Sequence, residues 1–189
     1  MKKNASTIGL LIGLVSFIVA FGIYYLFLAK KNAYLVDNPT PETYYFKING
    51  GGEKIITSGQ YVKVNLEKGE NRIEVFDREK ELLYDSLFTV NKIRGILNIT
   101  HSDYYIHRQY YGYGLNKDSL IAALPQTVID GENYYGGAKK MDQLYNEDFY
   151  YNIDEEYDPV VKNIQKVESR VKIFRKQDFL NYYKTYYNF

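Results

Sequence analysis

The chain of 189 residues contains no cysteine and no tryptophan. Without cysteine it forms no disulfide, no thiolate zinc site, no cysteine nucleophile and no cysteine-linked lipid anchor. A domain outside the cytoplasm would therefore depend on its packed core alone. Tyrosine and phenylalanine supply that core, with 22 and 10 residues, because aromatic side chains bury large apolar areas.

Neither positively nor negatively charged residues predominate. The 24 lysines and arginines nearly balance 23 acidic residues, so the net charge is +1. Such a balance creates no basic field for a polyanion, and we expect no nucleic acid among the partners. The length suits one domain of roughly 100–150 residues plus a shorter segment.

The longest apolar run extends from Ile8 to Ala29. Its length, about 22 residues without a charge, suffices to cross a hydrocarbon core of roughly 30 Å as a helix. A pair of lysines flanks each end, and the terminal amine favours the cytoplasm for the N-terminus. The apolar region of a cleaved signal peptide is usually shorter, about 7–15 residues, so an uncleaved anchor is favoured over the cleaved alternative.

This run predicts a single-pass protein of the inner (cytoplasmic) membrane. Residues 1–7 would form a cytoplasmic stub, and residues 8–29 a transmembrane helix with the lipid bilayer as its partner. Residues 30–42 include Pro39 and Pro41 and predict a linker, because proline does not continue a helix. Residues 43–189 would then form the extracytoplasmic domain, with a strand-rich part over 43–91 and a tyrosine-rich part over 92–189.

Short strands are expected over residues 44–48, 61–66, 72–77 and 83–90, separated by turn residues. Apolar and polar residues alternate along them, which is the period of a half-buried sheet. Near the C-terminus, 167–174 reads as another strand, and Phe179, Tyr182 and Tyr183 have helical spacing. The sequence predicts a mainly β fold: a small antiparallel sandwich-like domain with a short C-terminal helix, behind one N-terminal transmembrane helix.

Residues 44–90 carry a recurring rhythm of strands and glycine turns. It runs through Lys47-Ile48-Asn49-Gly50, Ser58-Gly59-Gln60 and Leu66-Glu67-Lys68-Gly69-Glu70-Asn71-Arg72-Ile73-Glu74-Val75. This succession resembles the PEGA-type and related surface β-sandwich modules. The resemblance implies a small immunoglobulin-like sandwich that acts as an extracytoplasmic spacer or binding module without catalysis.

The tyrosine-rich part allows two interpretations. Its rings either form an aromatic platform for a sugar face or a partner protein, or close the core as ordinary strand residues. Asp130-Gly131 predicts a hairpin, 115–124 a short helix, and 138–163 a long surface excursion. The candidate interaction surface consists of Tyr104, Tyr105, Tyr110, Tyr111, Tyr113, Tyr134 and Tyr135.

No motif for catalysis, cofactor binding or metal binding is evident. The acidic run over 154–158 lacks the spacing of a calcium loop, and His101 and His107 would lie about 20 Å apart along an extended strand. We therefore expect no cofactor, no metal and no enzymatic activity.

The favoured function is a membrane-anchored structural or interaction subunit of a bacterial envelope assembly. Its partners would be other envelope proteins. Two alternatives stay open: a module that binds glycan or cell-wall material through the same tyrosines, and an enzyme with an unrecognised site.

Overall fold

The computed structural model describes residues 5–25, 33–112, 116, 119, 122–159 and 168–187. The chain divides into two compact units, Met1–Asn32 and Ala33–Phe189. The first contains helix α1 (Ala5–Ile23), and the large apolar side chains from Ile8 to Tyr25 are 46% to 74% exposed. Among the described residues, no helix combines the length and apolarity that a membrane crossing requires. Residues 26–29 of the predicted transmembrane helix lie outside the described ranges.

The second unit is built from short strands and ends in a helix. The described elements are β1 (Ala33–Asp37), β2 (Tyr44–Ile48), β3 (Lys54–Ile56), β4 (Tyr61–Val64), β5 (Gly69–Phe76), β6 (Leu82–Val90), β7 (Arg94–Asn98), β8 (Tyr104–Tyr111), β9 (Thr127–Ile129), β10 (Glu132–Tyr134), β11 (Lys139–Met141), β12 (Tyr145–Asn146), β13 (Glu168–Arg175) and α2 (Lys176–Tyr187). A mainly β fold with a short C-terminal helix is thus confirmed.

The strands form three sheets and one separate hairpin. The outer sheet has the order β3-β2-β5-β6, the central sheet β12-β7-β1-β4 and the third sheet β11-β8-β13, while β9 and β10 form the hairpin. The central sheet is mixed, because β1 runs parallel to β7 and antiparallel to β4. The prediction of a purely antiparallel domain was therefore wrong for this sheet.

Three hydrophobic clusters hold these layers together. The first lies between the outer and central sheets, where Phe46 and Ile73 meet Tyr34 and Val36. The second lies between the central and third sheets, and the third between the third sheet, the hairpin and α2. The interior strands β1 and β8 therefore bury both faces, and successive residues along them alternate between two clusters.

Strand β1 is the clearest difference from the sequence prediction. The linker predicted over residues 30–42 was wrong for Ala33–Asp37, because these residues form an interior strand of the central sheet. Tyr34 and Val36 enter the first cluster and Leu35 enters the second. A strand that is buried on both faces has a continuous apolar sequence rather than an alternating one. No alternation in the sequence therefore indicated β1, and the prolines that follow it favoured a linker.

The later part of the chain follows the sequence prediction in two places. The hairpin turns at Asp130 (φ 53°) and Gly131 (φ 84°), a left-handed backbone that glycine and aspartate tolerate. Helix α2 docks on the third sheet through Phe179 and Tyr183, which are 0% and 5% exposed. Half of the helix predicted over 115–124 (residues 115, 117, 118, 120 and 121) lies outside the described residues.

The surface excursion predicted over 138–163 was wrong for several of its described residues, although others, such as Asp142 and Asp148, are exposed. Met141, Phe149 and Tyr151 are buried, and Asn152 is 0% exposed. The neighbouring carboxylates made the segment look solvated, but Phe149 and Tyr151 point into the core, while Tyr150 between them is exposed.

A buried ion pair joins the central sheet to the third sheet. Asp37, at the end of β1, is 0% exposed and accepts hydrogen bonds from Arg175 Nε at 2.9 Å and from Arg175 Nη2. Tyr104 donates its hydroxyl to Asp37 Oδ2 at 2.5 Å. The hydrogen bond to Asp37 raises the pKa of Arg175, and burial raises the pKa of Tyr104. Arg175 and Tyr104 therefore stay protonated at neutral pH and remain donors to Asp37.

We predict that Asp37→Asn lowers the free energy of unfolding by about 3 kcal/mol, because it leaves the Arg175 guanidinium without its buried counter-charge. Guanidinium titration of the full-length protein in detergent, followed by circular dichroism, measures the change. Asp85→Asn is the matched control, since Asp85 pairs with Arg72 on the exposed side of the outer sheet, and such pairs contribute little. If the denaturation midpoint of Asp37→Asn equals that of Asp85→Asn, the buried ion pair does not stabilise the fold as proposed.

Candidate functional site

A cleft of about 380 Å³ lies where the third sheet meets the segment after β12. We call it the tyrosine cleft. It is lined by Tyr111, Tyr150, Tyr151, Asp158, Pro159, Ser169, Arg170 and Val171. A pocket with aromatic walls and a few convergent polar groups is the usual form of a ligand-binding site.

The backbone of β13 positions both sides of this cleft. On one edge β13 pairs with β8, which sets Gln109 opposite Arg170. On the other edge the N–H groups of Tyr150 and Tyr151 donate to Val171 O at 2.9 and 3.0 Å. The segment that contains Tyr150 is therefore fixed to the sheet by main-chain hydrogen bonds.

Arg170 is held between aromatic rings. Its guanidinium lies 5.4 Å from the ring centre of Tyr111 and 4.6 Å from that of Tyr157. Its Nε donates to Gln109 Oε1 at 2.5 Å, and its Nη1 donates to the main-chain oxygen of Asp158. Cation–π contacts and these hydrogen bonds fix the orientation of the guanidinium.

The wall opposite Tyr111 is a row of tyrosine rings. The centroids of Tyr150 and Tyr151 are 4.9 Å apart, and those of Tyr151 and Tyr157 are 5.2 Å apart. Tyr151 donates its hydroxyl to Asp158 Oδ2 at 2.7 Å. Burial, together with this bond to a carboxylate, raises the pKa of Tyr151, so its hydroxyl stays protonated.

Tyr150 is the most exposed ring of the row, at 46%. The guanidinium of Arg94 lies 5.2 Å from its ring centre, and Arg94 in turn pairs with Glu155 at 2.7 Å. Tyr150 thus presents an aromatic surface to solvent while its position is held by Arg94 and by the neighbouring Tyr151.

The acidic run beside the cleft surrounds a lysine of the chain itself. Lys172 is 4% exposed, and its Nζ donates to the main-chain oxygens of Asn152, at 2.8 Å, and Glu155. Burial lowers the pKa of Lys172, although the nearby carboxylates favour its charged form. The ammonium group therefore occupies the position between carbonyls and carboxylates that a cation would take.

The predicted surface tyrosines are divided between core and surface. Tyr104, Tyr105 and Tyr134 are 0%, 2% and 8% exposed, so their assignment to an interaction surface is corrected: they belong to the second and third clusters. Period-two alternation places Tyr104 and Tyr105 on opposite buried faces of the same strand.

The other four predicted tyrosines lie elsewhere. Tyr110 and Tyr111 are half-buried, and Tyr135 is 38% exposed. Tyr111 is the member of the predicted set that lines the cleft, and Tyr113 lies outside the described residues. The sequence prediction missed Tyr150 and Arg170, because the contacts that give them a role come from strand register rather than local sequence.

A second cleft, of about 720 Å³, lies at the start of α2. Its charged groups already have partners in the chain: Arg175 pairs with Asp37, and Lys176 Nζ lies 2.6 Å from Asp130. Its lining also includes no tyrosine or phenylalanine, so the tyrosine cleft, with its aromatic walls, is the stronger candidate. The second cleft is lined by Pro39, His101, Ser102, Asp103, Asp130, Arg175, Lys176, Gln177 and Asp178.

The two histidines have different surroundings. His101 is exposed and lies beside the ring of Tyr84, with centroids 5.3 Å apart. His107 is 0% exposed and is surrounded by rings of α2, including Tyr182 at 5.2 Å. Burial lowers the pKa of His107 to about 4. Within the described parts of the chain, no group of three His, Cys, Asp or Glu side chains is arranged to hold a metal ion.

We predict that His107 makes the domain sensitive to mild acid. Its pKa in the folded state, about 4, lies below the unfolded value of roughly 6.5, so the unfolded state binds the proton more tightly. The contribution of neutral His107 to the free energy of unfolding is fully present above pH 6.5 and decreases as the pH falls towards 4.

Between pH 7 and pH 4.5 this linkage amounts to about 2–3 kcal/mol, and His107→Gln should remove that part of the decrease. Urea titrations at the two pH values measure it. His101→Gln is the control and should retain the wild-type decrease. If His107→Gln also retains it, other groups cause the acid sensitivity.

In comparisons with known proteins, no protein-family model, no curated protein and no solved structure matches this chain. The resemblance of residues 44–90 to PEGA-type modules therefore stays a prediction, and function has to be inferred from the geometry of the described residues.

Proposed function

We propose that this chain is a membrane-anchored extracytoplasmic interaction subunit that binds a partner protein of the cell envelope through the tyrosine cleft. The observation that carries the proposal is the placement of Tyr111, Tyr150 and Arg170 around one open cleft. Tyrosine and arginine are enriched among the residues that dominate binding energy at protein interfaces.

The side chains of the cleft are held in place before a partner binds, and this favours binding. Tyr150 contacts Arg94 and Tyr151, and Arg170 contacts Tyr111 and Tyr157. Side chains that are already held in place lose little conformational entropy when a partner arrives. The proposal assigns this cleft a binding role and no catalytic step.

The proposed anchor is the apolar run over residues 8–29. Its support is the length of the uncharged run in the sequence and the exposure of every large apolar side chain of α1 from Ile8 onward. A helix that is apolar on all sides needs an apolar environment. The proposal places this helix in the inner membrane and Ala33–Phe189 on its outer side.

The resemblance of residues 44–90 to PEGA-type modules adds a role for the first part of the domain. These residues form all four strands of the outer sheet. They also contain β4, which belongs to the central sheet. We propose that this part is the spacer, and that the tyrosine cleft, which lies in the later part, contacts the partner.

A glycan is the second candidate for the cleft. Ser169, Arg170 and Asp158 lie beside the tyrosine rings, and sugars combine ring stacking with hydrogen bonds at their rims. Binding of the full-length protein to a peptidoglycan and glycan panel, lost in Tyr150→Ser, would favour this candidate over a protein partner.

We predict that Tyr150→Ser lowers recovery of the partner protein by roughly 30-fold, which corresponds to a central interface residue worth about 2 kcal/mol. The measurement is cross-linking in native membranes, affinity purification of the full-length protein and quantitative mass spectrometry. Tyr61→Ser is the matched control, because Tyr61 is similarly exposed, at 44%, but lies on β4.

A protein recovered with wild type and with Tyr61→Ser, but lost with Tyr150→Ser, supports the proposal. Equal recovery with wild type, Tyr61→Ser and Tyr150→Ser would place the partner outside the tyrosine cleft. If no protein is recovered with wild type, the protein-partner proposal fails and the glycan screen becomes the discriminating experiment.

The absence of cysteine permits a direct test of the proposed topology. We expect a membrane-impermeant maleimide to label Glu67→Cys in intact cells, because Glu67 is an exposed residue of the domain. Asn4→Cys, in the proposed cytoplasmic stub, should be labelled only after the membrane is permeabilised. Equal labelling of both variants in intact cells, or recovery of the protein without membranes, would refute the proposed anchor.

A further inference from the structure

Strand β6 leaves one edge of the outer sheet open. It is the last strand in the order β3-β2-β5-β6 and pairs with β5 along its length. Within the part of the chain that the structure describes, no strand pairs with its other side. β6 has nine residues, whereas strands average about 5–6. A long open edge presents a row of main-chain donors and acceptors to any strand that fits it.

The edge lacks the features that usually prevent such pairing. Leu82–Val90 contains no proline, no glycine and no lysine, and these residues or a bulge commonly protect an edge. The bulge in the β5–β6 pair lies between Val75 and Phe76 at the start of β6. From Tyr84 to Val90 the register is continuous, so this part of the edge is regular.

Charge on the edge is already neutralised within the chain. Asp85 is the single charged residue of β6. It accepts hydrogen bonds from Arg72 Nε at 2.8 Å and from Arg72 Nη2. On the same face as Asp85, Leu83 and Leu87 are 50% and 61% exposed. A strand that covers this edge is therefore expected to be largely apolar, with any charge of its own already paired within its own copy.

We propose that β6 pairs antiparallel with β6 of a second copy of this chain, so that two outer sheets join into one. Two copies of β6 are complementary when they pair in antiparallel orientation. A two-fold axis at Leu87 sets Leu87 opposite Leu87 of the second copy and Asp85 opposite Thr89, while Ser86 faces Phe88. The two Asp85 side chains are then four positions apart along the seam, so no like charges are directly opposed. The contact also closes on itself as a dimer.

The absence of cysteine again supplies the test. Leu87→Cys in the full-length protein should form a covalent dimer under mild oxidation, because directly opposed residues of antiparallel strands lie about 4.5–5.5 Å apart, within disulfide range. Val128→Cys is the control, since Val128 is equally exposed, at 63%, but lies on the hairpin. We expect the dimer yield of Leu87→Cys to exceed that of the control about tenfold.

A second variant keeps the test independent of disulfide chemistry. Leu87→Lys places like charges opposite each other at the seam and should halve the native mass measured by light scattering in detergent, with an unchanged circular dichroism spectrum. A monomeric wild type, equal cross-linking of both cysteine variants, or a dimer that persists in Leu87→Lys would each overturn the proposal. These outcomes are independent of partner recovery at Tyr150, so the two proposals fail separately.

Discussion

The buried carboxylate of Asp37 is the constraint around which the layers are arranged. It lies at the end of a strand that is covered on both faces, where an unpaired charge would be strongly unfavourable. Arg175 and Tyr104 both come from the third sheet, so compensating the charge requires that sheet to dock on the central sheet in one position. Apolar contacts between the two sheets tolerate small shifts, whereas the hydrogen bonds to Asp37 do not. The pair thus contributes specificity to an interface whose affinity comes from its hydrophobic cluster.

Local patterns in the sequence predicted the elements but not their arrangement. Alternation identified β2, β5 and β6 of the outer sheet but not the short β3, and Asp130-Gly131 identified the hairpin, because both signals depend on neighbouring residues. β1 was missed because burial on both faces removes the alternation. The tyrosine cleft was not predictable for a related reason: Gln109 and Arg170 are 61 positions apart, and only the register of β8 and β13 brings them together. Of the predicted tyrosines, the structure places Tyr111 at the cleft.

Tyrosine has two separate roles in this chain. In the core, Tyr104 uses its ring as apolar volume and its hydroxyl as a donor to Asp37. At the surface, Tyr150 uses its ring as an exposed contact area. Composition alone does not separate these roles, because the same residue type suits both. Lys172 illustrates the same ambiguity for charge, since the acidic run reads as a surface excursion in the sequence, whereas in the structure it lies around a buried ammonium group.

The separation between the two partners of the ion pair affects how the protein reaches its folded state. Asp37 and Arg175 are 138 positions apart, and Arg175 directly precedes the terminal helix. Contacts between such distant segments form late, because the chain must first close a large loop. The carboxylate of Asp37 in β1 therefore stays uncompensated until Arg175, 138 residues later, has been synthesised. Products that end before Arg175 therefore expose an incomplete core to proteases, whereas chains that include Arg175 conceal that core.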